Sequence, residues 1–375
     1  MLGILNSKYE LVELAGEGGM AHVFRGYTLG AEGFRRPVAV KRILEGFADN
    51  AEFLEMFVEE ARVSATIHHP NVVQIHDFDR DDAGHFYLVM EWVPGVNLLD
   101  WCEGHRLRGQ RTPWHLVAAV GIEVSKGLGA AHENHNEQGG LSPIYHRDVT
   151  PQNVLVSQYG YVKLTDFGLA RATDRARITR EHIVKGKVSY LAPELTEGGD
   201  PSPQSDLFGL GVLLWESLMG RKLFHGDGPV DVVRAIQAAV IPSVCAERPE
   251  VPRAFDDVLA YALARSPRDR YTSTRQMCRA LSNILRLTPR PPTLTCWAAA
   301  SSTRAMRCGP ARSRARCAPK QRRCRSRAAS SGAGERPLSP RGASAARPTR
   351  TPPARCRSRP PARRARTAAG TWASC

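Results

Sequence analysis

The chain has 375 residues, a length that predicts one large domain or two small ones with a buried core. Its formal net charge is +15, but residues 289–375 alone carry 20 arginines and one lysine against one glutamate, so the remainder is mildly acidic at −5. The basic excess that would suggest a nucleic-acid or membrane partner therefore belongs to the tail, and no nucleic-acid partner is expected for the rest of the chain.

Cysteine usage and hydropathy indicate the cellular compartment of the chain. Cys102, Cys245 and Cys278 are scattered through the first 288 residues, which is typical of reduced thiols. The first nine residues lack the basic and apolar regions of a signal peptide, and there is no run of about 18 apolar residues that could span a membrane. These features predict a cytoplasmic chain.

Short β-rich runs separated by turns dominate the first hundred residues. One helix is expected among them, at 52–67, where Phe53, Phe57 and Ala61 recur at helical spacing. The pattern predicts a mostly antiparallel sheet with a single helix. The expected strands are 9–15, 22–26, 38–43, 72–78 and 86–92.

Longer helical periodicities follow Pro94, and two short strands, 154–156 and 162–164, flank a turn at Tyr159-Gly160. The expected helices are 114–132, 205–219, 230–239, 254–264 and 274–285. We therefore predict an α+β fold of two lobes with a cleft between them. The predicted parts are a small antiparallel β lobe at 8–94, a larger helical lobe at 95–287 and a tail at 288–375.

A glycine-rich turn lies between the first two predicted strands. Glycines at such a hairpin let backbone amides approach a phosphate without interference from a Cβ atom, and Val23 would cover an adenine ring. A dinucleotide-binding fold would instead need a helix after the glycines. The alternative is an ordinary glycine-rich turn. The nucleotide-binding candidates are Ala15, Gly16, Glu17, Gly18, Gly19, Met20, Ala21, His22 and Val23.

A lysine stands in an otherwise apolar strand within reach of this hairpin. Lys41 ends the run Val38-Ala39-Val40-Lys41, and the following helix carries Glu59 and Glu60. An ion pair with a glutamate of that helix would present Lys41 to the α- and β-phosphates of a nucleotide. The alternative is a lysine that is simply an edge charge.

The run from His146 to Leu155, His-Arg-Asp-Val-Thr-Pro-Gln-Asn-Val-Leu, is followed by Asp166-Phe167-Gly168. Phosphoryl transfer needs a carboxylate that orients the incoming hydroxyl and accepts its proton, together with oxygen ligands for magnesium. Asp148 fits the first role, and Asn153 and Asp166 fit the second. The alternative, a purely structural turn, does not account for two such motifs around one short hairpin.

With these motifs the chain resembles a bacterial eukaryotic-like (Hanks-type) Ser/Thr protein kinase over residues 8–287. The resemblance implies a two-lobed protein-kinase-like fold that uses ATP and Mg²⁺ to phosphorylate Ser/Thr hydroxyls of proteins, including its own. It selects Glu60 as the partner of Lys41, because Glu60 precedes His69 of the His-Pro-Asn turn by nine residues, as in the family. The alternative is a pseudokinase that acts as a nucleotide-binding scaffold or regulatory module.

The resemblance also implies an adenine pocket. Met90 would be its gatekeeper, Glu91 to Val93 the hinge whose backbone binds the base, and Leu155 its floor. The nucleotide-binding set that the resemblance completes is Ala39, Lys41, Glu60, Met90, Glu91, Val93 and Leu155.

Three further residues receive structural roles from the resemblance. Glu194 would pair with Arg270, and Asp206 would brace the catalytic loop. The activation segment would run from residue 166 to residue 194, with Thr173 and Thr179 as candidate phosphate acceptors. These threonines lie among arginines, and the alternative is that they are ordinary loop surface.

The chain departs from the family at two positions of the site. Such kinases usually have lysine where this chain has Thr150, and threonine where it has Lys187. We expect Lys187 to supply the missing positive charge to the transferring phosphate and Thr150 to hydrogen-bond Asp148. The alternative is that Lys187 is a surface residue and that the enzyme is weak or inactive.

The tail is rich in Arg, Pro, Ser and Ala and contains no Ile, Val, Phe or Tyr from residue 289 onward. Such a composition cannot bury enough apolar surface to fold, so we expect disorder. A basic arm that binds anionic surfaces is one interpretation of its function. The other interpretation is the translation product of a shifted reading frame in a gene of high GC content.

Overall fold

The computed structural model describes residues 2–47, 50–167 and 188–287. In the amino-terminal part, six strands form one antiparallel sheet in the order β1-β2-β3-β4-β6-β5. The strands are β1 (Gly3–Leu5), β2 (Tyr9–Glu17), β3 (Ala21–Leu29), β4 (Arg35–Ile43), β5 (Ile75–Arg80) and β6 (Phe86–Glu91).

A helix, α1 (Ala51–Ala65), packs on this sheet. The Asn50 side chain caps it by accepting a hydrogen bond from the Phe53 N–H at 3.0 Å. Its buried residues Phe53, Phe57 and Ala61 join Ile43 and Leu88 in one apolar cluster. The helical spacing of those side chains therefore explains why α1 buries this face.

The carboxy-terminal part is mainly helical. A small sheet of β7 (Gly95–Asn97), β8 (Val154–Ser157) and β9 (Val162–Leu164) lies at its edge. The helices are α2 (Leu98–Leu107), α3 (Trp114–His132), α4 (Pro193–Thr196), α5 (Pro203–Met219), α6 (Pro229–Ala238), α7 (Val244–Glu247), α8 (Arg253–Ala262) and α9 (Thr274–Arg286). None of the helices in the described ranges is long and apolar enough to cross a membrane.

Helix α5 runs through the centre of this part, and its side chains from Ser205 to Leu218 are buried. It starts with a capping box between Ser202 and Ser205 and ends at Gly220, whose φ of 68° is the left-handed conformation that suits glycine. A helix that is apolar all round belongs in a core, and α5 packs against α3, α8 and the turn at Val188–Tyr190. The core therefore surrounds α5.

The predicted architecture is confirmed: an antiparallel sheet with one helix is followed by a larger helical part. One strand was predicted too early, at 72–78, because residues 72–74 bond elsewhere: the Val73 N–H donates to the Leu164 carbonyl at 2.8 Å. The sheet also extends beyond the predicted start of the small lobe at residue 8, since β1 pairs with β2. The sequence analysis missed β1 and β7 and the helices α2, α4 and α7.

Two groups of sequence-based predictions lie outside the described residues. One comprises Lys187, Thr173 and Thr179 of the activation segment. The other is the disorder and the basic arm assigned to the tail, residues 288–375.

Candidate active site

Lys41 lies at the centre of the candidate site, on strand β4. Its Nζ is 2.8 Å from Oε1 of Glu60, which lies on α1, and 2.8 Å from Oδ1 of Asp166. Lys41 and Glu60 are buried. Glu59 instead lies beside Arg62 on the same helix. The structure thus pairs Lys41 with the glutamate that the sequence analysis selected and adds the carboxylate of Asp166.

Charge and burial compete in this cluster. Burial lowers the pKa of Lys41, but the carboxylates of Asp166 and Glu60 outweigh that cost and raise it above its ordinary value. Burial raises the pKa of Glu60 more than Lys41 lowers it. One positive charge is therefore held firmly between two acids, where a nucleotide phosphate could take over part of its interaction with Asp166.

The loop from His146 to Asn153 brings the second pair of candidate residues together. Asn153 ends a 3-10 turn, Pro151–Asn153, and its Nδ2 donates to the Asp148 carbonyl at 2.9 Å and to Asp148 Oδ2 at 3.0 Å. The amide nitrogen therefore orients the Asp148 carboxylate, while the Asn153 amide oxygen is of the kind that magnesium prefers.

The Asp206 carboxylate anchors this loop from the first turn of α5. It accepts hydrogen bonds from the His146 N–H at 2.9 Å, the Arg147 N–H at 2.8 Å and His132 Nε2 at 2.8 Å. Arg147 has a φ of 64°, a left-handed backbone that is unfavourable for a residue with a side chain. The bonds to Asp206 stabilise that strained backbone beside Asp148.

His146 connects the loop to the segment that carries Asp166. Its Nε2 donates to the Thr165 carbonyl at 3.1 Å, and its ring lies against the buried Phe167 ring with centroids 4.5 Å apart. Burial lowers the pKa of His146 below its ordinary value, so this ring is neutral at physiological pH. The ring therefore packs against Phe167, and no group of three or more His, Cys, Asp or Glu side chains that could hold a metal ion was found within the described ranges.

The glycine-rich segment forms the predicted hairpin between β2 and β3. The Gly18 N–H donates to the Ala21 carbonyl at 3.0 Å, and a Cβ atom at Gly18 would lie 2.9 Å from that oxygen. Ala15, Glu17, Gly18 and Gly19 are exposed, whereas Gly16, His22 and Val23 are half-buried. This close approach explains the glycine at position 18.

Met20 and Ala21 differ from the rest of the hairpin. The Met20 side chain packs against the apolar cluster of α1, and its carbonyl accepts a hydrogen bond from the Leu44 N–H at 3.0 Å. Ala21 is buried. The structure therefore places the half-buried Met20 side chain against the apolar cluster of α1.

The residues proposed for the adenine pocket form a single apolar cluster. Ala39, Met90 and Val93 are buried there together with Val73. Val23 and Leu155 pack against them from the hairpin and from β8. Apolar side chains from both parts of the fold thus converge on the backbone that follows β6, which is where an adenine ring would be bound.

Thr150 does not make the hydrogen bond that was expected. Its side chain is 1% exposed, and its Oγ1 has no hydrogen-bond partner among the residues that the structure describes. The predicted bond from Thr150 to Asp148 was therefore wrong, and the Asp148 carboxylate accepts a hydrogen bond from Asn153 Nδ2 instead. Its backbone, at φ −125° and ψ 158°, is extended.

Glu194 and Arg270 form a bidentate ion pair, as the resemblance implied. Both terminal nitrogens of the Arg270 guanidinium lie 2.7 Å from the Glu194 carboxylate.

The contact of His132 with Asp206 was missed by the sequence analysis, because it treated His132 only as the end of α3. A buried helix that ends on a histidine was the available signal.

The comparisons with known proteins agree with this geometry. Residues 9–281, more than half of the chain, match the family described as the protein kinase domain. The chain is 37% identical over 280 residues to the tyrosine-protein kinase MasK of Myxococcus xanthus, covering 74% of this chain and 43% of MasK. It is 32% identical over 275 residues to the serine/threonine-protein kinase PrkC of Bacillus subtilis, covering 73% and 40%.

A solved structure is also similar. The kinase domain of Mycobacterium tuberculosis PknI aligns with a TM-score of 0.55 at 25% sequence identity, covering 75% of this chain and 97% of that one. The chain spans about two fifths of the length of MasK and PrkC. The family uses ATP and a divalent metal ion to modify proteins, and the chain belongs to the protein kinase domain family.

Proposed function

We propose that this chain transfers the γ-phosphate of ATP to serine and threonine hydroxyls of proteins, including its own. The contact of Lys41 Nζ with both Glu60 and Asp166, at 2.8 Å each, carries the proposal. It connects strand β4, helix α1 and the segment after β9, which are the parts that a kinase needs to hold a nucleotide.

Each residue then has a defined task. Lys41, held by Glu60, binds the α- and β-phosphates beneath the hairpin at Gly16 to Val23. Asp148, oriented by Asn153, positions the acceptor hydroxyl and takes its proton as the phosphoryl group departs from ATP. The Lys187 side chain, by our proposal, adds positive charge near the transferring phosphate.

We propose Mg²⁺ as the metal, held by Asn153 and Asp166. A carboxylate and an amide oxygen suit a hard cation that keeps part of its water shell. When bound, the ion would neutralise charge on the phosphates of ATP. Asp166 already faces Lys41, so the site combines an acid for the metal with a fixed cation for the phosphates.

The acceptor needs a separate argument. PrkC is named a serine/threonine kinase, whereas MasK, which is more similar to this chain, is named a tyrosine kinase. Thr150 stands where Ser/Thr kinases usually have lysine, so one usual marker of acceptor type is missing. We favour serine and threonine because the other motifs of the chain resemble those of Ser/Thr kinases. Phosphoamino-acid analysis of the product distinguishes phosphoserine and phosphothreonine from phosphotyrosine.

The test is phosphorylation of the full chain and of a generic protein substrate with γ-labelled ATP and Mg²⁺. We expect Lys41→Met and Asp148→Asn to lower turnover by ~100-fold or more, because each removes a group that stabilises the transferring phosphoryl or its acceptor. Lys8→Met is the matched lysine control, since Lys8 pairs with Asp77 away from the site. It should keep turnover.

Two results would contradict the proposal. Label transfer that survives Asp148→Asn would assign the proton acceptor elsewhere. A chain that binds ADP but transfers no label would be the pseudokinase. In the same assay, full turnover in Lys187→Ala would remove Lys187 from the mechanism.

A further inference from the structure

A second buried lysine lies beside the first residue of the hinge. Lys163 on β9 places its Nζ 2.8 Å from Oε2 of Glu91, the last residue of β6 and the first of the hinge. The same nitrogen lies 3.4 Å from the Val72 carbonyl. The Lys163 side chain is only 11% exposed, so this pair differs from the screened surface pairs that contribute little.

Three segments of the chain meet at this lysine. The Glu91 N–H donates to the Gln74 carbonyl at 2.9 Å, and the Glu91 carboxylate accepts from the Gln74 N–H at 3.4 Å. Strand β9, which carries Lys163, ends at Leu164, two residues before Asp166. Lys163 thus links the hinge and the segment at Val72 to the strand that leads into the candidate metal ligand.

These contacts matter for a bound base because they hold Glu91, the first residue of the hinge. The Glu91 side chain is held by Lys163 and its N–H by Gln74, while Met90 before it and Val93 after it are buried in the cluster with Ala39. The backbone of residues 91–93 passes beside that cluster. Fixing the Glu91 side chain therefore fixes the orientation of the peptide groups that an adenine ring would contact.

We propose that Lys163 is a positioning residue for the nucleotide base, acting through Glu91. It rests on the proposed function, because it requires the cluster beside the hinge to bind adenine. Loss of the Lys163 cation leaves a half-buried carboxylate at the hinge without its partner, and the hinge backbone then samples orientations that do not match the base.

The experiment titrates the full chain with ADP in the presence of Mg²⁺, by calorimetry, for wild type, Lys163→Met, Lys163→Arg and Glu91→Gln. We expect the Kd for ADP to rise about tenfold in Lys163→Met and to recover in Lys163→Arg, which keeps a cation. Glu91→Gln should raise the Kd for ADP by a similar factor. The double variant should bind ADP no more weakly than either single variant, because each single substitution already removes the same interaction between Lys163 and Glu91.

Kinetics separate positioning from general damage. In Lys163→Met the KM for ATP should rise about tenfold while kcat stays within about twofold, since the residue acts on base binding and not on phosphoryl transfer. The control is Lys126→Met, which removes the exposed pair of Lys126 with Glu123 on α3. It should leave the Kd for ADP unchanged.

The outcomes are distinct. Wild type that binds ADP, with an unchanged Kd in Lys163→Met, overturns the role of Lys163 and leaves the proposed function intact. Full additivity of Lys163→Met and Glu91→Gln also overturns it, because the two residues would then act independently. A wild-type chain that binds no ADP overturns both proposals.

Discussion

The buried Thr150 hydroxyl is an energetic cost at the scale of one residue. A hydroxyl that leaves water without gaining a partner costs about 1–3 kcal/mol, and Thr150 Oγ1 has none among the described residues. Thr150→Val keeps the shape and the extended backbone, which suits a β-branched side chain. We expect Thr150→Val to raise the free energy of unfolding by about 1 kcal/mol in urea denaturation.

Thr150→Ser is the matched control for this prediction. It keeps the hydroxyl and removes one methyl group from a buried position, so it should lower the free energy of unfolding by about 1 kcal/mol. The reverse order, with the valine variant less stable than the serine variant, would show that the hydroxyl has a partner in the folded chain.

Single residues also show what sequence can and cannot predict at this site. The family resemblance selected Glu60 over Glu59, and the structure has the ion pair at Glu60. Spacing could not predict that Asp166 also contacts Lys41, since those residues are far apart in sequence. That the Thr150 hydroxyl has no partner among the described residues was equally out of reach, because it depends on how the loop packs.

At the scale of elements, the first turn of α5 supports the catalytic loop. Burial raises the pKa of Asp206, but hydrogen bonds from His132 and from the Arg147 N–H outweigh it and hold that pKa below its ordinary value. Asp206→Asn presents an N–H₂ group to N–H donors. We expect it to lower the free energy of unfolding by about 3 kcal/mol at pH 7.

The pH dependence of the stability lost in Asp206→Asn follows from the direction in which the fold shifts the pKa of Asp206. A lowered pKa in the folded chain means that the carboxylate stabilises the fold above its ordinary pKa of 3.8 and loses this effect as the pH falls through the folded pKa. The deficit of Asp206→Asn in urea denaturation should thus be equal at pH 7 and pH 5 and shrink below 3.8.

Asp231→Asn is the matched control, an exposed first-turn acid of α6 that lies near Arg234. It should change the free energy of unfolding by less than about 0.5 kcal/mol. If the loss of stability in Asp206→Asn instead grows as the pH falls from 7 to 5, a group other than Asp206 governs the pH dependence of this loop.

Elements with strong periodicity were predictable, and so were the short strands β8 and β9 around the Tyr159-Gly160 turn, but β7 and α2 were not. The bounds of α3 were predicted correctly, at 114–132, because its apolar residues recur along a buried face. Strand β7 has three residues and α2 mixes Asp, Glu and Gly with its apolar residues, so neither has a clear period. The strand predicted at 72–78 starts only at residue 75, because the residues before it bond to β9 instead of joining the sheet.

At the scale of the whole molecule, residues 71–74 connect the two parts of the fold. The Asn71 side chain donates to Glu123 Oε2 and to the Val162 carbonyl, at 2.8 Å each, and the Leu164 N–H donates to the Asn71 carbonyl at 2.8 Å. These contacts come from distant parts of the sequence, so no local pattern predicts them. They place the segment before β5 directly against α3 and β9.

Gly127 on α3 makes this close contact feasible. A Cβ atom there would lie 2.8 Å from the Asn71 carbonyl oxygen and 3.1 Å from a Leu164 methyl carbon. Alanine normally stabilises a helix by about 1 kcal/mol over glycine, but here it would push the connecting segment away from α3. We expect Gly127→Ala to lower the free energy of unfolding by about 2 kcal/mol in urea denaturation.

Gly121→Ala on the same helix is the matched control, because its Cβ would meet only the ends of the Leu281 and Leu214 side chains, which can rotate away. It should change the free energy of unfolding by less than about 1 kcal/mol, and a Gly127→Ala variant that proved as stable as wild type would show that the two parts of the fold can separate slightly without loss.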